Sequence, residues 1–378
     1  MTNLTPQQRE ALNAIGDWYA SDAPRLEPFY LAGPAGTGKT TLAREVAAAL
    51  MIHDVQFGAY TGKAASVLRG KGCTPASTLH SLLYKPFKAD GKPVEFRWNA
   101  ESELRDADLL ILDEVSMVDA DLAADVERFN VPVLVLGDPE QLEPIAGEGH
   151  YTKRTPDFRL TETHRFFIDG PVGKVATAIR ESGDPRFGLT RADVVEHSVD
   201  LAMEHDQILC WRNATRWMAI EKIRARLGRV KGVPEQGDKI MCLTNNKTLG
   251  VFNGEQFTVV QAVQRGSDWD MTLTTDDGQV RRIQALDIGF TQAGQASVKG
   301  YLGGRGPVMY ATFSQAITVH KAQGSQWPSV YVVNEAGALR DLEASRKGRE
   351  AGITAGRRLL YTAATRAAER VTITLPRR

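Results

Sequence analysis

Between residues 28 and 136 four short apolar runs each stop at a cluster of polar residues, and this pattern constrains the fold more than any other feature of the chain. The runs end at Ala32, Tyr60, Leu112 and Leu136. GPAGTGKTT, TGKAASVL, Asp113-Glu114 and GDPEQLEPI follow them in turn. A strand that is apolar at every position must be buried on both faces. That is the habit of a parallel sheet with helices packed on either side. Leu42, Val46, Ala49 and Leu50 supply one such helix directly after the glycine-rich segment. In open sheets of this kind ligands lie beyond the carboxyl ends of the strands. The polar clusters therefore mark the expected site.

The rest of the chain extends this α/β reading. Thr5 and Pro6 form a capped helix start, with Leu12, Ile15 and Tyr19 on one face over residues 5–20. Residues 84–98 place Asp90-Gly91, a hairpin-turn dipeptide, between two short stretches, which predicts a small β-hairpin inserted in the first domain. Helices and one strand, Gln207–Cys210, dominate 171–236. Residues 237–309 switch to short alternating or β-branched runs broken by Gly, Asn and Asp, as in a small β-barrel of SH3-like type. After 310 the α/β pattern returns. The expected organisation is a first domain over 1–170, a second over 171–236 and 310–378, and the barrel insertion over 237–309.

Composition narrows the function classes. Lys+Arg and Asp+Glu number 46 each, so the formal net charge is zero, and any polyanion must be held in a local groove and not by an overall field. Cys73, Cys210 and Cys242 are far apart and form no zinc-type pair, which suits free thiols in a reducing cytoplasm. No apolar run is long enough for a membrane span, so no membrane role is expected.

The first polar cluster carries the most specific chemistry. Gly33, Pro34, Ala35, Gly36, Thr37, Gly38, Lys39 and Thr40 fit the phosphate-loop spacing, with Thr41 next in the helix. Glycines let backbone N–H groups turn inward around phosphate oxygens, and the following helix adds its positive end. Lys39 suits the β- and γ-phosphates, and the Thr40 hydroxyl suits Mg²⁺. Asp113 and Glu114 close a buried strand, where two carboxylates are costly unless they serve a cation or a water. Asp113 is then the metal-side group and Glu114 the base for an attacking water. An acidic pair at a helix N-terminus is the alternative. Gln141, in GDPEQLEPI, can hydrogen-bond a phosphate and a neighbouring domain; otherwise that segment is a turn built from Gly, Asp and Pro.

Taken together, GPAGTGKTT, TGKAA, TLHSLL, LDEVSM, GDPEQLEPI, LTETHRF, TVHKAQGSQ and LLYTAATRA resemble the ordered motif series of superfamily 1 helicases. The likeness spans residues 4 to 375 and is greatest to the RecD-like and phage Dda-like branch. It implies two RecA-like parallel-sheet domains with ATP and Mg²⁺ between them and single-stranded DNA across their tops. It also implies travel from 5′ to 3′, tailed duplex as substrate, single-strand-binding or replication proteins as partners, and a monomer.

The same resemblance assigns residues. Gln8 matches the adenine-reading glutamine, with Gln7 its neighbour. His164 and Arg165 match the element that meets base and γ-phosphate from the second domain. Arg366 matches the other arginine finger. Gly324 and Gln326 lie near phosphate and ribose. Thr61, Lys63, Thr78, His80, Asn213, Thr318, His320 and Lys321 match strand-facing positions. Ile220 departs from the pattern, standing where a second asparagine is common. Phe87, Phe96 and Trp98 are expected either to stack on the first base pair of a duplex or to form a local core for the hairpin. Residues 340–358, polar and basic, match nothing sharply and read as a solvated loop.

Overall fold

The computed structural model describes residues 4–21, 27–87, 95–143, 149–162, 170–182, 189, 194–246, 248–275, 278–291 and 308–376. Its strands in chain order are β1 (Phe29–Ala32), β2 (Val55–Ala59), β3 (Ala76–Thr78), β4 (Tyr84–Phe87), β5 (Glu95–Trp98), β6 (Leu109–Asp113), β7 (Val133–Gly137), β8 (Phe158–Arg159) and β9 (Val194–Val195). They continue with β10 (Gln207–Cys210), β11 (Lys239–Cys242), β12 (Gln256–Arg265), β13 (Asp268–Thr275), β14 (Val280–Leu286), β15 (Ala311–Phe313), β16 (Ala316–Thr318), β17 (Trp327–Val332) and β18 (Ala367–Thr374).

The apolar runs build two parallel sheets. The first has the order β3-β2-β6-β7-β1-β8 and the second β16-β10-β17-β18-β9. Alternate residues of each strand feed opposite cores. In β6, Leu109 and Ile111 face one cluster with Ile15, Leu42 and Val46, while Leu110 and Leu112 face another with Leu79, Val115 and Tyr151. The second sheet repeats this: Ile208 and Cys210 point to one side of β10 and Leu209 to the other. Two-sided burial explains why these runs lack the polar alternation of a half-exposed strand.

Two smaller pieces are attached. The hairpin β4–β5 pairs Tyr84 with Trp98 and Phe87 with Glu95; its turn lies outside the described residues. The antiparallel sheet β14-β13-β12-β11-β15 has a bulge at Val259/Gln261 and shares a core with the second parallel sheet. Phe257, Trp269 and Leu273 pack in the same cluster as Trp217, Ile220 and Ile223 of the helix Asn213–Arg226. Ile220 is 1% exposed, so an asparagine there would bury an amide in this core.

The solvated loop expected at 340–358 is not present. Two helices, Ala336–Lys347 and Arg349–Ala364, run through it. A Cβ at Gly352 would stand 2.4 Å from the Arg340 carbonyl oxygen and 2.7 Å from the Ala344 Cβ. Small residues thus let two helices approach closely, while exposed charges at Asp341, Arg346, Lys347, Arg349 and Glu350 give the sequence its loop-like look.

Candidate nucleotide site and the seam beside it

The phosphate loop joins β1 to the helix Lys39–Ala49. Gly36 and Gly38 have φ of 82° and 80°, the left-handed region that glycine enters without a steric cost. At Gly33 a Cβ would meet the Thr37 hydroxyl at 2.8 Å. Thr37 bonds back to the Pro34 carbonyl at 3.0 Å, which tightens the loop. Gln8 closes a capping box with Thr5 and sends its amide to the Thr37 carbonyl at 3.0 Å, so the first helix is pinned to the loop. Gln7 turns away to Thr161.

Lys39 Nζ lies inside the loop, 2.6 Å from the Gly33 oxygen and 3.0 Å from that of Pro34. The Thr40 hydroxyl donates to Asp113 Oδ2 at 2.8 Å. Burial drives the Asp113 pKa up, and repulsion from Glu114 adds to this; the Thr40 bond and Lys39 oppose it. A carboxylate this desolvated gains most from a cation, and Thr40 with Asp113 is a donor pair that fits Mg²⁺. Glu114 has φ 57° and ψ 44°, rare for a residue with a Cβ, and its N–H bonds Asp113 Oδ1 at 2.8 Å.

Arg366 comes from the second sheet, at the start of the turn into β18, and is 5% exposed. Its Nη1 is 3.6 Å from Glu114 Oε1. Lys39, Thr40, Asp113, Glu114, Gln141 and Arg366 line one cavity of about 340 Å³, with Gly324 and Gln326 at its rim. Ala35, Gly36, Gly38 and Thr41 line it as well. The Gln141 Oε1 is buried without a hydrogen-bond partner beside this space. Gly324 has φ 75°, and a Cβ on it would stand 2.6 Å from that of Ala64 in the facing unit. His164 and Arg165 lie outside the described residues.

The segment after β7 forms a seam with the second unit, made by neighbours of Gln141, the one residue there that the sequence suggested for an inter-domain contact. Tyr361 donates to Asp138 Oδ2 at 2.8 Å. Arg357 pairs with Glu140 at 2.9 Å, and Arg358 pairs with Glu143. The Leu142 N–H meets Thr362 Oγ1 at 2.8 Å, the Leu142 carbonyl accepts from Gln323 at 3.0 Å, and the Leu142 side chain enters the second unit's core. The motif YTAATRA pointed to Arg366; the residues before it that dock the helix carry no signal of their own.

The strand-facing candidates sit at the carboxyl edges of both sheets, several with their side chains already engaged. Thr61, Thr78 and Thr318 are helix N-caps, accepting from the N–H of Ala64, Ser81 and Lys321 respectively. Lys63 is half-buried at the helix start and Asn213 exposed at another. Lys321 bonds Asn253 at 2.9 Å, and although the residue is exposed overall, desolvation lowers its pKa. At His320 burial pulls the pKa down to about 4, and its ring bonds the Glu143 backbone across the seam, so it faces any phosphate as a neutral imidazole. His80 lies between Tyr60 and Tyr84, ring centroids 5.9 and 5.7 Å away, an aromatic group that the sequence motif alone did not single out.

On the hairpin, the local-core reading holds for Trp98, whose ring packs 5.0 Å from Phe129 with Arg128 above it at 4.0 Å. Arg97 covers Phe87 at 3.4 Å, and Phe96 is 72% exposed. All three cysteines are buried thiols. No described helix is long and apolar enough to cross a membrane.

Comparison with known proteins agrees with this layout. The ATP-dependent RecD2 DNA helicase of Deinococcus radiodurans is 28% identical over 373 residues, covering 90% of this chain and 46% of that protein. The ATP-dependent DNA helicase dda of Enterobacteria phage T4 is 29% identical over 192 residues, 47% of this chain and 43% of its own length. The chain thus spans less than half the length of either relative. The crystal structure of a Pif1 helicase from Bacteroides in complex with ADP-AlF3 and single-stranded DNA superposes with a TM-score of 0.58 at 20% identity, covering 99% of this chain and 92% of that one. At that identity the likeness is one of fold alone, and it is to a Pif1 helicase and not to the RecD-like and Dda-like branch that the motifs resemble. The AAA domain family matches residues 3–208, more than half of the chain, and the protein belongs to that family.

Proposed function

We propose that this chain is an ATP-driven motor on single-stranded DNA, a translocase and helicase of the RecD-like and Dda-like kind that travels 5′ to 3′. The observation that carries the reading is the 3.6 Å approach of Arg366 to Glu114 across the cavity that holds Lys39. A strand-end carboxylate and an arginine from a second sheet have no structural need of one another there. They flank the space where a γ-phosphate and its water would react. The names of the curated relatives and the nucleotide and DNA in the Bacteroides complex point the same way. We divide the chain accordingly into a first domain over 1–170, a second over 171–236 and 310–378, and the insertion over 237–309.

The phosphate loop and Lys39 bind the triphosphate, and Gln8, pinned to that loop, takes the adenine-reading role that its motif suggests. Thr40 and Asp113 would hold Mg²⁺, which supplies charge neutralisation on the phosphates when bound. Glu114 takes a proton from water as its oxygen attacks the γ-phosphorus. The bond to the β-bridging oxygen breaks, and ADP and phosphate leave. Arg366, with Arg165, balances the charge that develops, His164 stacks on the base, and Gln141 reports the γ-phosphate to the seam. Closing and opening of the cleft then alternates the grip of the two domains on the strand, provided that nucleotide favours one spacing over the other.

The decisive experiment is unwinding of duplexes bearing either a 5′ or a 3′ single-stranded tail. The expected result is ATP-dependent separation of the 5′-tailed duplex alone. A second reading, a translocase that strips bound proteins without sustained unwinding, is favoured by the hairpin, whose strands are four residues each and whose Trp98 is packed into the body. Displacement of a protein from a single strand, with no strand separation, distinguishes it.

A further inference from the structure

One group at the seam has no part in the cycle above. Tyr361 projects from the helix Arg349–Ala364 and is 2% exposed. Its hydroxyl lies between two groups of the facing unit: it donates to Asp138 Oδ2 at 2.8 Å and accepts from the Ala35 N–H at 3.3 Å. Ala35 belongs to the phosphate loop, where backbone N–H groups serve phosphate oxygens. Asp138 follows the last residue of β7, is 2% exposed, and is otherwise bonded by the Glu140 N–H at 3.0 Å, with Lys39 close enough to stabilise its charge. Burial and Asp138 together hold the Tyr361 pKa well above its ordinary value, so the phenol remains a donor. One oxygen of the second unit is therefore bonded at once to the phosphate loop and to the strand end beside it. Packing alone does not require this, since a phenylalanine ring fills the same space.

We propose that Tyr361 is a positioning residue that couples the state of the phosphate loop to the second unit. When a phosphate claims the Ala35 N–H, the hydroxyl keeps only its Asp138 partner, and the helix that carries Arg357, Thr362 and the approach to Arg366 feels the change. Tyr361 acts through Ala35 and Asp138 and does not touch the reacting atoms. The coupling is a free energy shared by two sites, so it must appear also as an effect of nucleotide on strand affinity.

This inference rests on the motor reading, and the test separates the two. Affinity for a fluorescent oligothymidylate is measured with ADP and with a non-hydrolysable ATP analogue, alongside ATP turnover with and without the strand. In the native chain the two nucleotides give different affinities. In Tyr361→Phe that ratio falls toward one, a loss of about tenfold, within the usual range for allosteric coupling. Asp138→Asn lowers the same ratio, and the double variant is no worse than the poorer single one, because both remove one shared contact. Melting temperatures check that each variant is folded. A ratio unchanged in folded Tyr361→Phe, or losses that add in the double variant, overturns the inference alone. A native chain without strand-stimulated turnover removes the motor reading and the inference together.

Discussion

The two walls of the nucleotide cavity are built on different principles. On the phosphate-loop wall three functional groups are fixed by neighbours in their own unit: Lys39 by the Gly33 and Pro34 carbonyls, Thr40 by Asp113, Asp113 by the Glu114 N–H. On the opposite wall Arg366 is held locally by the Thr362 carbonyl at 3.2 Å and the Thr365 hydroxyl at 3.3 Å. The helix it follows is buried in its own unit's core through Leu359, Leu360 and Ala363, and what sets it against the first wall is the seam: Tyr361, Thr362, Arg357 and Arg358 on one side, residues 138–143 on the other. The first wall is preformed, and the second is assembled by docking. A cavity built this way can bind nucleotide with one wall and react only when both are in place.

Breaking each wall in turn sharpens the contrast. Lys39→Ala should bring ATP turnover to background and weaken nucleotide binding too, since the loop loses its cation while the sheet stays folded. Retained strand-stimulated turnover in that variant would falsify the site assignment. Arg366→Ala should lower turnover by about 10³-fold, the lower end of what an arginine finger contributes. Nucleotide affinity, measured by fluorescence titration, should change little, because the preformed wall is intact. If binding and turnover fall together, the two walls are not separable.

Smaller effects are expected along the seam. Arg357→Ala with Arg358→Ala removes two half-exposed ion pairs, each worth roughly 0.2–1 kcal/mol, so turnover should drop only a few-fold and more at low salt than at high. His320 gives the least. Its pKa is lowered from 6.5 to about 4, so between those values the unfolded chain binds the extra proton. Its contribution to stability is present above pH 6.5 and is lost as pH falls toward 4. Denaturation midpoints of His320→Gln should therefore be less sensitive to acid over that window than those of the native chain.

Much of the phosphate-loop wall was legible before any coordinates. Its residues fall in short contiguous motifs, and each motif follows an apolar run that marks a buried strand. Of the seam only the segment around Gln141 was legible, and not the partners it meets. Thr61, Thr78 and Thr318 read as hydroxyls facing a strand, yet each caps a helix, because the residue that ends such a strand is also the residue before the next helix. Residues 340–358 read as a loop because they are rich in charge, some of it exposed and some (Arg357, Arg358) spent across the seam, and because their packing relies on Gly352, which looks like a helix breaker in isolation. Ile220 looked like a departure from a pattern and is a core residue of the helix it belongs to.

The amino-acid order by itself determined the two parallel sheets, the phosphate loop and the carboxylates at the end of β6, since strand burial and loop geometry depend on neighbours a few positions away. Only the tertiary structure decided which residues face that loop. Tyr361 and Asp138 are 223 positions apart and share one hydrogen bond. Neither residue's own surroundings in the chain carry any trace of the other, because a contact of that range is created by the packing of one sheet against the next.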